Sequence, residues 1–82
     1  MDPILGQIAL FPYPWTPMGW APCEGQIVKI NDYQALFSLL GNTYGGDGRE
    51  TFALPNLKVA AEGLGGTLHY AIATEGIYPQ RT

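Results

Sequence analysis

The stretch NDYQALFSLLGNTYGGDGRETFALP, Asn31 to Pro55, decides how this chain folds. It reads as a short capped helix, a glycine-rich loop and an extended segment closed by proline. Asn31 is placed to cap the first turn, and Gln34, three residues on, to reach back as the partner of a capping box. Ile30 and Ala35 are positioned for a small hydrophobic staple across that turn. Tyr33, Leu36, Phe37 and Leu40 recur at i, i+3, i+4 and i+7, which makes one apolar stripe. The spacing predicts a helix over 32–40, ended by Gly41, where left-handed backbone meets no Cβ.

Outward from this block the pattern changes to short strands and turns. Gln26 to Ile30 alternates as a strand feeding the helix, with Val28 and Ile30 on one face and Ile27 on the other. Thr51 to Leu54 forms the extended segment stopped by Pro55. At the start of the chain, Leu5 to Phe11 reads as a strand with Ile8 and Leu10 sharing a face. Pro12, Pro14 and Pro17 then interrupt FPYPWTPMGW, and each removes a backbone donor, so this arm is expected to run extended over the surface or along a sheet edge. Tyr13, Trp15 and Trp20 supply the apolar area that would clamp it onto the core. Gly19–Trp20 and Glu24–Gly25 read as turns flanking Cys23. Beyond Pro55, Asn56 to Glu62 fits either a strand end or a helical turn. Gly63, Gly65 and Gly66 mark a tight connection. Thr67 to Ala73 alternates as the last strand, and Ile77 and Tyr78 are anchors for a tail whose end is exposed.

Composition agrees with one small α+β domain over 1–82, with short strands, one short helix and many loops. The chain is 46% hydrophobic and 13% charged, with eleven glycines and seven prolines, which disfavours a helical bundle. A chain of 82 residues buries only roughly 60% of the surface its unfolded form exposes, so the core is thin and a neighbouring chain is expected to cover part of it. The net charge of −3, with four Lys and Arg in all, forms no basic stripe, so nucleic-acid and anionic-membrane partners are not expected. No apolar run approaches the ~20 residues of a membrane span, and the N-terminus does not read as a secretory signal. Synthesis in a bacterial cytoplasm, without a signal peptide, is the corresponding expectation. A single cysteine excludes an intrachain disulfide.

Candidate chemistry is sparse. The loop Tyr44 to Arg49 invites a phosphate-cradle reading, but no Lys-Ser/Thr follows and it trails a helix instead of opening one. A structural turn fits better, with display of Tyr44, Asp47 and Arg49 to a partner or sugar as the functional alternative. Arg49, alone in a neutral glycine loop, suits a bidentate carboxylate contact within or between subunits. Cys23 and His69 raise the question of a nucleophile pair, against which stands the ordinary packing of a buried thiol. One chain holds too few ligands for a mononuclear metal site; three copies sharing an ion through His69 is the arrangement that ligand count leaves open. Asp47 and Glu50 lie too close together to act as an acid–base pair. Tyr13, Trp15, Trp20 and Tyr44 offer rings for sugar stacking, with core or interface packing as the plainer reading. No catalytic residue, metal site or cofactor is assigned, and the chain reads as a non-enzyme.

The strings PMGWAPCEGQ at Pro17 to Gln26 and INDYQALFSLLGNTYGGDGRETFALPNL at Ile30 to Leu57 resemble the phage tail collar domain. That family includes the microcystin-dependent proteins and the distal part of short tail fibres. GQIALF near the start and LHYAIATEGIYPQR near the end are similar to the family's first and final strands. Typical members carry a long glycine-rich insertion after the FALP(N/D)L segment, often with Pro-x-His-x-His. Here Lys58 to Gly66 passes almost directly to the last strand, and no His-x-His remains.

The resemblance implies a structural or adhesive component of a phage tail or phage-like particle. Such a component forms a homotrimeric fibre collar or tip, located in the virion, that joins other tail-fibre or baseplate proteins. Host attachment through a surface glycan is a further implied role. The competing reading is a free bacterial carbohydrate- or peptide-binding module derived from the same domain. Tyr44, Asp47, Arg49, Tyr13, Trp15 and Trp20 are the candidate contact residues under either reading.

Overall fold

A computed structural model describes residues 3–80. It has five short strands in two sheets, with helical segments between them. The first sheet has the order β1 (Ile8–Phe11), β5 (His69–Ala73), β2 (Trp20–Pro22), antiparallel throughout. The second pairs β3 (Ile27–Lys29) with β4 (Thr51–Ala53). Helix α1 spans Gln34–Leu40 and α2 spans Lys58–Glu62. The α+β reading therefore holds, and the undecided segment after Pro55 is a helical turn.

The core gathers Leu5, Cys23, Leu36, Phe52, Leu54 and Ile72. The predicted helical stripe reaches it as expected, with Leu36 buried and Tyr33, Phe37 and Leu40 packed alongside. Phe37 and Phe52 meet at 5.3 Å between ring centroids. Truncating Phe52, which is wholly buried, would leave a cavity of the kind that costs about 3–5 kcal/mol.

The helix does not start where its capping signal lies. Ile30–Asp32 is a 3-10 turn, Tyr33 stands at the N-cap with φ −143°, and no side chain caps either element. The cause is tertiary. The Ile30 amide still donates to the Glu50 carbonyl at 2.9 Å, extending the β3–β4 ladder and holding Asn31 one turn too early. Gln34 becomes the first helical residue instead of a capping partner, and Ala35 is exposed while Ile30 packs on the core. Gly41 closes the helix at φ 58°, its amide donating to Phe37.

The opening strand is shorter than its pattern. Ile4 to Gln7 makes a turn closed by the Gln7 amide on the Ile4 carbonyl, with Gly6 at φ 84° in the third position, which favours glycine. The Gly6 amide donates to Ala73, while the Ala73 amide donates to Gln7, so two residues oppose one. This bulge sets the register in which Ile8 faces Ile72 and Phe11 faces His69.

Strand β5 is central, and Ala71, Ile72 and Ala73 are all fully buried. Register puts Phe11, Ala9, Pro22 and Trp20 on the same face as His69, Ala71 and Ala73. The small alanines leave room for Phe11 and Trp20 to meet over the strand, edge to face, with centroids 5.1 Å apart. Trp20 thus lies in a strand, not in the expected turn, and Pro22 is tolerated because β2 is an edge. The tail is tied down by mutual amide–carbonyl bonds of Ile77 with Pro3 and Leu5, and by the Tyr78 hydroxyl 2.7 Å from Ser38 Oγ. The exposed end expected at Arg81 and Thr82 lies outside the described residues.

Candidate functional site

The six candidate contact residues fall into two sets. Tyr44, Asp47 and Arg49 lie on the loop between α1 and β4; Tyr13 and Trp15 lie on the proline arm, and Trp20 on β2. No ring contact or side-chain hydrogen bond among the described residues joins the two sets.

The loop is organised by its own backbone. A Cβ on Gly46, at φ 85°, would run into the backbone of Phe52, so the chain can double back onto β4 only with glycine there. The Ala53 amide donates to Gly45, and the Gly48 amide to Thr51. Asp47 Oδ1 accepts from the amides of Arg49, Glu50 and Thr51 at 2.8, 2.9 and 3.0 Å. In return the Asp47 amide donates to Thr51 Oγ1. These amides favour the carboxylate and hold the Asp47 pKa down to about 2, although the side chain is exposed. One Asp47 oxygen is therefore committed to the loop. Tyr44 is half exposed, and Arg49 makes no ion pair among the described residues. Arg49 borders a recess of about 320 Å³ with Lys29, Ile30, Asn31, Glu50 and Thr51. Of the two carboxylate contacts expected of Arg49, within the chain or between subunits, no intrachain ion pair is seen among the described residues.

The arm works differently. Tyr13 and Trp15 stack on each other, with centroids 4.1 Å apart and planes 22° apart, while Trp15 is 61% exposed. Of the rings expected to clamp the arm, Tyr13 and Trp20 both meet Phe11, and none of the three belongs to the core cluster. Two side-chain hydrogen bonds pin the arm: Thr67 Oγ1 donates to the Pro12 carbonyl at 2.7 Å, and Thr16 Oγ1 lies 3.2 Å from His69 Nε2.

A family model described as the Phage Tail Collar Domain matches residues 6–61. The chain belongs to this family. Comparison with curated proteins and with solved structures gives no match. A collar domain is a structural unit of phage tails, which places the chain's role with tail fibres and its location with the virion tail. The matched span runs from the Gly6 turn to Ala61 in α2 and so contains both sheet edges, whereas the central strand β5 follows it. No described helix is long and apolar enough to cross a membrane.

Sequence reasoning passed over the recess beside the collar domain's central strand. A hollow of about 290 Å³ is bordered by Thr16, Cys23, Leu57, Lys58, Leu68 and His69, among others. Cys23 and His69 do converge there, but burial pushes the Cys23 thiol up to about 11, so it stays protonated at neutral pH and lacks nucleophilic character. His69 Nδ1 is buried with no hydrogen-bond partner, and Nε2 faces Thr16. Sharing an ion among three copies through His69 would require Nε2 to give up Thr16 or Nδ1 to leave its buried position. No cluster of three or more metal-ligating side chains exists among the described residues. Thr16 and His69 are 53 positions apart, with no local motif linking them.

Proposed function

We propose that this collar domain acts as an oligomeric fibre collar or tip, in three copies, that joins neighbouring tail proteins and contacts the host surface. The observation that carries the reading is the stretch Pro3 to Cys23, which contains no charged residue. Ile4, Ile8, Leu10, Trp15 and Met18, all within it, are exposed, and Met18 is 98% so. Charge depletion with exposed aromatic and methionine side chains is the composition of an interface centre. Strand β1 is a sheet edge with no charge or proline inside it to deter pairing with another chain. The count of three rests on the resemblance to short tail fibres.

Multi-angle light scattering on the purified chain tests this reading. A trimer mass is expected, falling to a monomer when Ile8→Lys places a charge on the edge; a stable monomer at micromolar concentration would overturn it. The exposed Tyr13–Trp15 stack supports the second reading, a carbohydrate-binding module, because exposed rings are suited to sugar faces. Flat signals on an array of bacterial surface glycans would remove that reading. Tail or baseplate genes beside this one would favour the virion role over a free module.

A further inference from the structure

The collar family and the assembly reading leave His69 without a role. It is the only histidine in the chain, and it joins the central strand to the proline arm through Thr16 Oγ1. Its ring lies beside Phe11, with centroids 5.9 Å apart, and Phe11 in turn touches Tyr13 and Trp20. Nδ1 is closed off from solvent and has no partner. A neutral imidazole tolerates this position, because one nitrogen engages the Thr16 hydroxyl and the other is left as a single orphan atom.

Protonation changes the balance. An imidazolium carries a proton on both nitrogens. Nε2–H still has the Thr16 oxygen, but Nδ1–H then lies buried with a share of a full positive charge and no acceptor. Burying an unpaired charged donor is far more costly than burying an unpaired neutral atom. Titratable and charged groups border the recess the ring faces: Cys23 and Glu24 after β2, Lys58 and Glu62 on α2, and Tyr70 on β5; Tyr13 of the arm lies beyond Phe11. Cys23 is protonated, Glu24 is 3.9 Å from Lys58, and no carboxylate bonds to the ring. Glu24, half exposed, and Glu62, exposed, attract the imidazolium only through well-solvated surroundings.

We propose that His69 is a proton-operated latch on the arm Pro12 to Pro17. The arm is docked while the imidazole is neutral and lets go once it is protonated. Opening gives Nδ1–H access to water, so protons bind the open state more tightly and thereby favour it. The ligand is the proton alone, and release frees the Tyr13–Trp15 pair from the sheet.

NMR on the full, isotopically labelled chain tests the latch. Between pH 7.5 and pH 5 the nuclear Overhauser contacts from the Thr16 methyl to the His69 ring are expected to fade in a single transition. The docked-to-open ratio is expected to fall by about tenfold, the effect of leaving one buried donor unpaired. Signals of Phe52 and Ile72 should stay native throughout. His69→Gln, which keeps a hydrogen-bonding group toward Thr16 but does not titrate, should hold the arm at both pH values; Thr16→Val should loosen it at both. Thr16 contacts that persist with the ring fully protonated would overturn the proposal. So would acid opening of His69→Gln, which would assign the effect to carboxylates, and so would loss of the Phe52 and Ile72 signals at the same midpoint.

Discussion

The glycine loop after α1 and the proline arm after β1 solve one problem in opposite ways. Both must carry irregular backbone across the surface. The loop keeps its amides and uses them on itself: Asp47 gathers three, and Gly45, Gly46 and Gly48 supply the positive φ angles that let the loop close. The arm deletes its amides at Pro12, Pro14 and Pro17 and depends on side chains to stay in place, chiefly Thr16, Thr67 and the Phe11 ring. A self-satisfied loop is rigid without help. An arm held by two hydrogen bonds is the part that a proton or a partner can move.

The comparison breaks most severely at Gly46. Gly46→Ala forces a Cβ into the Phe52 backbone at a positive φ, and a loss of about 2–4 kcal/mol is expected in urea denaturation. A neutral outcome would mean that the loop can open without disturbing β4. Next comes Asp47. Its folded-state pKa, about 2, lies below the ordinary 3.8, so its contribution is fully present above the ordinary value and is lost as pH falls from there toward 2. Asp47→Asn should lower the melting temperature at neutral pH and flatten its decline over that acid range. The smallest effect on stability is expected at Trp15, which is mostly exposed: Trp15→Ala should shift the unfolding free energy by less than about 0.5 kcal/mol. The same variant should weaken assembly in light scattering, and unchanged assembly would take Trp15 out of the interface.

Local pattern made part of this legible. The stripe from Tyr33 to Leu40 is periodic, and the helix follows it; Val28 and Ile72 lie on strands that alternation outlines. What escaped was decided at a distance. Asn31 carries a capping signal, yet Ile30 is held by Glu50 from another strand, and the helix begins later. Trp20 to Pro22 reads as turn and proline, and is a strand only because Ala71 to Ala73 lie beside it. Lys58 to Glu62 is too short for a period to show. The candidate residues on the loop and arm were nameable as polar or aromatic residues in flexible context. The pairing of Thr16 with His69 was not, since nothing near either residue announces the other.

The position of β5 has a kinetic consequence. Ile8 pairs with Ile72, and Trp20 with Ala73, so the sheet's two flanks are made early in synthesis and its middle strand late. Long loops must close before these pairings contribute, which slows folding relative to a chain of local contacts. Until Ala73 has emerged from the ribosome, β1 and β2 have no strand between them, and the uncharged stretch that carries them stays open to other chains.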